Sequence, residues 1–172
     1  PRIRVLIVEG VARNEYRFLR RVLGSDPDVS LSDVVKLRKD VFLQQDAESG
    51  ADLARGLPVK REDFKRFDVI LLGDIARAEF SDGQLLALRD FVSEGGGLIL
   101  TGGQNAYGAG GYASSPLADM LPVAISDRDG QIEGTFVPRL TAAGAGHPVF
   151  RGCEEFFSQG ASRAALDGAN RV

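Results

Sequence analysis

The sequence predicts an α/β protein in which helices cover both faces of a mostly parallel sheet. Four short segments are typical of strands, and three of them are apolar runs of the kind that is buried on both faces. Segments with helical spacing stand between them, and the connections are short, which favours right-handed crossovers and parallel strands. The predicted strands are Ile3–Val8, Val34–Arg38, Val69–Leu72 and Leu98–Leu100.

The first helix is predicted to begin after Asn14 as its N-cap and to run through Leu23, where Gly24 ends it. Because apolar residues recur at helical spacing, one face of this helix is expected to be buried. The expected buried residues are Tyr16, Leu19, Val22 and Leu23.

The segment Asp40–Pro58 is polar and mixed, and it predicts a mobile loop with at most one helical turn. Lys60–Phe67 predicts a short helix with Phe64 and Phe67 facing inward and its charges in solvent.

Another helix is predicted between the last two strands. Ser81 is a good N-cap, with Asp82 and Gln84 in the first turn, and Gly95–Gly97 ends the helix. The expected buried stripe is Leu85, Leu88, Phe91 and Val92.

The C-terminal third gives weaker signals. Helical turns are expected at Pro116–Leu121 and Glu154–Phe157, and a loose segment at Thr141–Gly146. Strands are expected at Pro122–Ile125 and Gly134–Leu140, around a turn at 127–130, and Arg171-Val172 is expected to enter another strand. We therefore expect the chain to be a piece of a longer protein.

Composition excludes several classes of function. The 172 residues suffice for one domain, which we predict to span 1–172, and a net charge of −3 offers no basic field for nucleic acid. No apolar run approaches the ~20 residues that span a bilayer. His147 and Cys153 are the only residues of their types, which argues against a zinc site and a disulfide framework. We expect no metal and no cofactor.

A glycine-rich loop, Thr101–Ala113, follows the last predicted strand. Its segment Gly108–Ala113 formally fits the G-x-G-x-x-A dinucleotide pattern. That pattern normally follows its strand at once and opens a long helix, whereas six residues intervene here and Ser114-Ser115-Pro116 follows. We interpret the segment as a tight loop at the sheet edge, with nucleotide or sugar binding as a weaker alternative.

Polar residues stand at the carboxyl ends of the predicted strands: Glu9, Asp74, Gln104 and Asn105. A doubly wound sheet gathers such residues in one crevice. Two close carboxylates could perform acid–base chemistry, but capping or solvated acids are the preferred interpretation. His147 is the only unperturbed base near neutral pH, and Cys153 is expected to pack as a small apolar residue.

The chain resembles a known family. The stretches LIVEG…NEYRFLRRVL, FDVILLGD and LRDFVSEGGGLILTGGQNAYGAGGYASSPLADMLPV are similar to the glutamine amidotransferase-like domain of bacterial membrane proteins that also carry von Willebrand A-type domains. HPVFRG and the final NRV fit later parts of that domain. The resemblance covers nearly the whole chain and implies a flavodoxin-like sandwich of the class I glutamine amidotransferase type.

The resemblance also implies where catalysis would occur. Relatives that hydrolyse glutamine carry a cysteine on the turn after a central strand, and the matching positions here are Thr101-Gly102-Gly103-Gln104. The late histidine of those relatives is followed by Pro-Glu, whereas His147 is followed by Pro148-Val149. Without the nucleophile, the covalent route is absent.

The functional expectation is therefore a non-catalytic interaction or ligand-binding module of a larger, membrane-associated bacterial protein. Its partner would be another domain of the same chain, a separate protein or a small ligand. The alternative is a hydrolase or transferase that uses carboxylate, Asn or His groups. The candidate crevice residues are Glu9, Asp74, Gly102, Gly103, Gln104, Asn105, Tyr107 and Tyr112.

Overall fold

The computed structural model describes residues 1–45, 49–128, 130–157 and 165–172. Contacts divide the chain into two compact units, residues 1–130 with 170–172, and residues 131–169. Each unit has its own set of secondary-structure elements. The prediction of one domain over residues 1–172 stays a prediction.

The first unit is built on a five-stranded sheet with the order β3-β2-β1-β4-β5. β1 pairs in parallel with β2 and β4, and β4 pairs in parallel with β5, whereas β3 is antiparallel to β2. The α/β class with a mostly parallel sheet is therefore confirmed. The strands are β1 Ile3–Glu9, β2 Val29–Arg38, β3 Val41–Gln45, β4 Val69–Leu72 and β5 Gly97–Leu100.

The described residues of this unit contain the α-helices α1 Asn14–Ser25, α2 Arg61–Phe64 and α3 Asp82–Ser93. Alternate residues of β1 enter two separate cores, as the two-residue period of a strand requires. Leu6 and Val8 pack in the core that contains the apolar residues of α2 and α3. Val5 and Ile7 pack in the core that contains those of α1, so both faces of the sheet are covered.

The start of α3 confirms the predicted N-cap. The Ser81 hydroxyl accepts from the Gln84 amide at 3.2 Å, and the Gln84 side chain accepts from the Ser81 amide at 3.1 Å. Such a capping box stabilises a helix by about 1 kcal/mol. Leu85, Leu88 and Phe91 are buried as expected.

The prediction of a loop at Asp40–Pro58 is wrong for residues 41–45, which form a strand, whereas residues 49–58 are turns, bends and coil as predicted. β3 occupies its first part as an antiparallel edge strand, and Ala51, Leu53 and Leu57 are buried in the core. Residues 46–48 lie outside the described residues. The apolar residues of the segment are spaced irregularly, so no helix or strand period predicts that Ala51, Leu53 and Leu57 reach the core.

Several predicted boundaries also shift. α1 starts at Asn14 with Arg13 as N-cap, and it continues past Gly24 to Ser25. Val22 is 57% exposed and does not join the buried stripe. β2 begins five residues earlier than predicted, and α2 spans only Arg61–Phe64, although Phe64 and Phe67 face inward as predicted.

Residues between β5 and the second unit form two 3-10 turns, Tyr112–Ser114 and Ala118–Met120, the second within the predicted helical segment. The strand predicted at Pro122–Ile125 is wrong, because these residues are bends and coil.

The second unit contains a two-stranded sheet of β6, Gln131–Phe136, and β7, Leu166–Asn170, the last residue of which belongs to the first unit. The strand predicted at Gly134–Leu140 therefore begins and ends earlier, as β6. A strand was expected to start at Arg171, whereas β7 ends at Asn170. The segment expected to be loose contains α4, Ala142–Ala145, and the helical turn predicted at Glu154–Phe157 is confirmed as a 3-10 turn.

No helix among the described residues is long and apolar enough to cross a membrane.

Candidate functional site

The first unit has a topological switch point between β1 and β4. The chain passes from β1 to β2 on one side and later returns to β4 on the other. In such sheets the crevice at the carboxyl ends of these two strands is the usual ligand site. Glu9 is the last residue of β1, and Asp74 follows β4 by two residues. Their side chains are buried, at 2% and 4% exposure.

The Glu9 carboxylate joins the ends of the two strands. Its Oε1 accepts from the backbone amide of Asp74 at 2.7 Å, and from the amides of Gly10 and Val11 at 3.0 and 3.2 Å. The Arg13 guanidinium lies 3.6 Å from Oε2. Burial raises the pKa of Glu9, although the Val11 amide and the Arg13 charge oppose that rise. The main role of the Glu9 carboxylate is therefore to hold the backbone after β1 and after β4 together.

Glycines make this close approach possible. A Cβ at Gly73 would lie 2.1 Å from Glu9 Oε2, and a Cβ at Gly10 would lie 2.2 Å from the Asp74 carbonyl. Neither position has space for a side chain, so packing requires glycine at Gly10, directly after β1, and at Gly73, directly after β4.

Asp74 positions the glycine loop. Its Oδ1 accepts from the Asn105 amide at 2.5 Å. A Cβ at Gly103 would lie 2.3 Å from Asp74 Cγ, so the loop backbone packs directly on the carboxylate. Tyr112 is fully buried, and its hydroxyl donates to the Ile75 carbonyl at 2.9 Å. Burial, helped by the charge of Asp74, raises the pKa of Tyr112.

The turn after β5 is closed by side chains of the chain itself. The Gly102 carbonyl accepts from the Arg13 guanidinium at 3.0 Å. The Asn170 amide pairs with Gly103 in both directions, accepting from its N–H at 2.8 Å and donating to its carbonyl at 2.8 Å. A Cβ at Gly102 would lie 2.8 Å from Asn170 Oδ1.

The remaining predicted site residues lie at the margin of this crevice or below it. Gln104 and Asn105 are exposed, and the interactions described for Asn105 are those of its backbone. Tyr107 is half-buried with φ of 52°, and its hydroxyl donates to the Leu100 carbonyl at 2.9 Å. Burial raises the pKa of Tyr107. The structure thus brings Glu9, Asp74 and the two glycines together, whereas Tyr112 supports the loop from the core.

The dinucleotide-like segment Gly108–Ala113 allows the backbone of the chain to pack closely on itself. A Cβ at Gly110 would lie 2.2 Å from the Asn105 carbonyl, and the Gly110 carbonyl accepts from the Arg77 amide at 2.9 Å. Only a three-residue 3-10 turn, Tyr112–Ser114, follows. This arrangement agrees with the interpretation of a tight, ordered loop.

Sequence reasoning missed two residues of the crevice. Arg13 bridges Glu9 and Gly102, but Glu9 ends β1 and Arg13 precedes α1, so helical i, i+4 spacing does not predict this contact. Asn170 is 67 residues from Gly103, and no local pattern points to it.

In the second unit, the His147 side chain accepts from the Val149 amide through Nδ1 at 3.2 Å. The expectation that Cys153 packs as a buried apolar residue is wrong, since its thiol is exposed and free. Across residues 1–45, 49–128, 130–157 and 165–172, no group of His, Cys, Asp and Glu side chains could hold a metal ion.

Comparison of the chain with protein-family models, curated proteins and solved structures gives no match.

Proposed function

We propose that this chain is a non-catalytic interaction or ligand-binding domain of the glutamine amidotransferase-like, flavodoxin-like type, within a larger membrane-associated bacterial protein. The strand order supports the fold. When the edge strand β3 is set aside, the order β2-β1-β4-β5 corresponds to the first four positions of the flavodoxin-like order 2-1-3-4-5.

The closed turn after β5 is the observation that carries the proposal. Covalent catalysis needs a nucleophile on that turn with a base beside it. The turn here holds Gly102 and Gly103, and a Cβ at either position would lie within 2.8 Å of Asn170 or Asp74. The two buried carboxylates beside it already hold backbone amides. These contacts suit a rigid surface better than a reacting site.

One observation favours the alternative of a hydrolase. Burial raises the pKa of Glu9, and a carboxyl group of that kind at a switch point is a candidate general acid or base. Three backbone amides on one of its oxygens argue for a structural role instead.

A substrate screen separates the two proposals. The purified chain, Asp74→Asn and Asn105→Ala would be assayed for glutaminase, amidase and esterase turnover. Asp74→Asn tests a carboxylate of the crevice and Asn105→Ala tests an asparagine of it, and circular dichroism checks that each variant is folded. We expect no turnover above buffer in any of the three. Turnover by the native chain that either folded variant abolishes would overturn the proposal.

Binding is tested separately by thermal shift. A ligand that binds the folded state alone raises its stability by about 2.7 kcal/mol at 100 times Kd. Stabilisation by a nucleotide, a sugar or an amino acid without turnover supports a binding domain. If no ligand of the three classes shifts the melting temperature at millimolar concentration, the result counts against small-molecule binding and favours a protein partner.

A further inference from the structure

The first unit contains a cavity at the opposite end of β1 from Glu9. It has a volume of about 720 Å³, and it is lined by α1 from Tyr16 to Ser25, by Arg2 before β1, by the beginning of β2 and by Gln45 at the end of β3. Arg2 and Glu9 are seven residues apart along an extended strand, which separates the two places by about 23 Å. The inference drawn from this cavity is therefore independent of the proposed function of the crevice.

Arginine is the dominant charged residue around the cavity. Four arginines line it, and no acidic residue is among its lining side chains in the described part of the chain. They are Arg2, Arg17, Arg20 and Arg21. This positive group stands on a chain whose net charge is −3, so it is not a consequence of overall composition.

One of the four arginines has a structural partner. The Arg20 guanidinium lies 3.2 Å from the Asp33 carboxylate, which is fully buried and also accepts from the Tyr16 hydroxyl. This contact holds Arg20 against the sheet.

The other three differ from most arginines of this unit. Arg4 pairs with Asp68 at 2.6 Å and Arg66 pairs with Asp63 at 2.8 Å. Both of these arginines line a smaller cavity, and each is neutralised by its aspartate. Among the described residues, Arg2, Arg17 and Arg21 form no ion pair. All three residues are exposed, and an anion that enters the cavity is attracted by each of their charges.

Among the residues that the structure describes, no nearby acid neutralises the cavity from within. Asp26 and Asp28 follow α1 but do not line the cavity, and the Asp26 carboxylate accepts from the Asp28 amide at 2.9 Å. The end of α1 at Gly24 and Ser25 carries partial negative charge, so an anion is expected to lie against the guanidinium groups instead of the backbone there.

The lining also has an apolar side, formed by the ring of Tyr16 and by Val29 and Leu31. A phosphate monoester carries about −1.5 to −2 charges at pH 7, which three guanidinium groups can balance, and guanidinium recognises phosphate oxygens bidentately. The apolar side suits an organic body attached to that phosphate.

We propose that the cavity lined by Arg2, Arg17 and Arg21 is a binding site for a small organic phosphate. Phosphate oxygens contact the three guanidinium groups, and the organic part packs on Tyr16, Val29 and Leu31. Carboxylates of single charge bind more weakly, because they offer fewer oxygens and less charge.

The test is isothermal titration of the whole chain with phenyl phosphate, inorganic phosphate and benzoate at a constant ionic strength of about 0.15 M, where the Debye length is ~8 Å. We expect saturable binding, with an affinity that decreases from phenyl phosphate to inorganic phosphate to benzoate. Arg17→Gln/Arg21→Gln is expected to raise the Kd for phenyl phosphate about tenfold or more, since two charge-assisted contacts are removed.

Arg38→Gln is the control for the single variants Arg2→Gln and Arg21→Gln, which are titrated beside the double variant and each remove one positive charge. Arg38 is an exposed arginine at the end of β2 that does not line the cavity. Circular dichroism checks that every variant is folded. Equal affinity in the cavity variants and Arg38→Gln, benzoate binding as tightly as phenyl phosphate, or no saturable binding of phenyl phosphate at millimolar concentration would overturn the proposal.

Discussion

Substitution of Asn170 by alanine should loosen the turn after β5. The amide of Asn170 makes two hydrogen bonds to Gly103 at 2.8 Å and a longer one to the Ala106 carbonyl at 3.4 Å. A hydrogen bond contributes about 1 kcal/mol net, and the contact at 3.4 Å adds little. Asn170→Ala should therefore lower the free energy of unfolding of the first unit by about 2 kcal/mol.

Urea unfolding, followed by circular dichroism and by tyrosine fluorescence, measures this loss. Asn105→Ala is the matched control, because it removes the same side chain from an exposed position whose described contacts are those of the backbone. We expect the control to stay within about 0.5 kcal/mol of the native chain. Equal stability of the two variants would refute the role given to Asn170.

Three further predictions concern the same unit. Gly103→Ala should lower the free energy of unfolding by about 1–3 kcal/mol, because the added Cβ overpacks the site. Gly130→Ala should leave it nearly unchanged in the same urea assay, because a Cβ there meets nothing within 4 Å. Tyr16→Phe removes the hydroxyl donor from the buried Asp33 carboxylate and should cost about 1–3 kcal/mol, whereas an unchanged urea midpoint would contradict that contact. Asp68 should titrate at about 2 by carbon-13 NMR, because hydrogen bonds from its arginine partner lower its pKa from 3.8. Its contribution to stability is then present above pH 3.8 and lost as pH falls towards 2, and an NMR midpoint near 4 would disprove the pairing.

The parts of the fold with local signals were predictable from sequence. β4 has the predicted bounds, and α3 begins at the predicted cap, because an apolar run and a capping box each depend on a few neighbouring residues. β3 and the buried segment after it were missed. Their burial depends on contacts with β2 and with the core, which the local sequence does not encode.

The candidate site was predictable only in part. The rule that strand ends converge brought Glu9 and Asp74 together correctly. The same rule does not predict the orientation of Asn105, which contacts Asp74 through its backbone amide. Asn170 could not be predicted, since its pairing with Gly103 joins residues far apart in the chain.

Amide hydrogen exchange at Gly103 and Asn105 tests most directly whether the chain itself closes the crevice. The Gly103 amide donates to Asn170 and the Asn105 amide donates to Asp74. We predict that both amides are protected in the native chain and that Asn170→Ala removes the protection of Gly103 while leaving that of Asn105. Exchange of both amides in the native chain at the rate of an unstructured peptide would contradict a closed crevice.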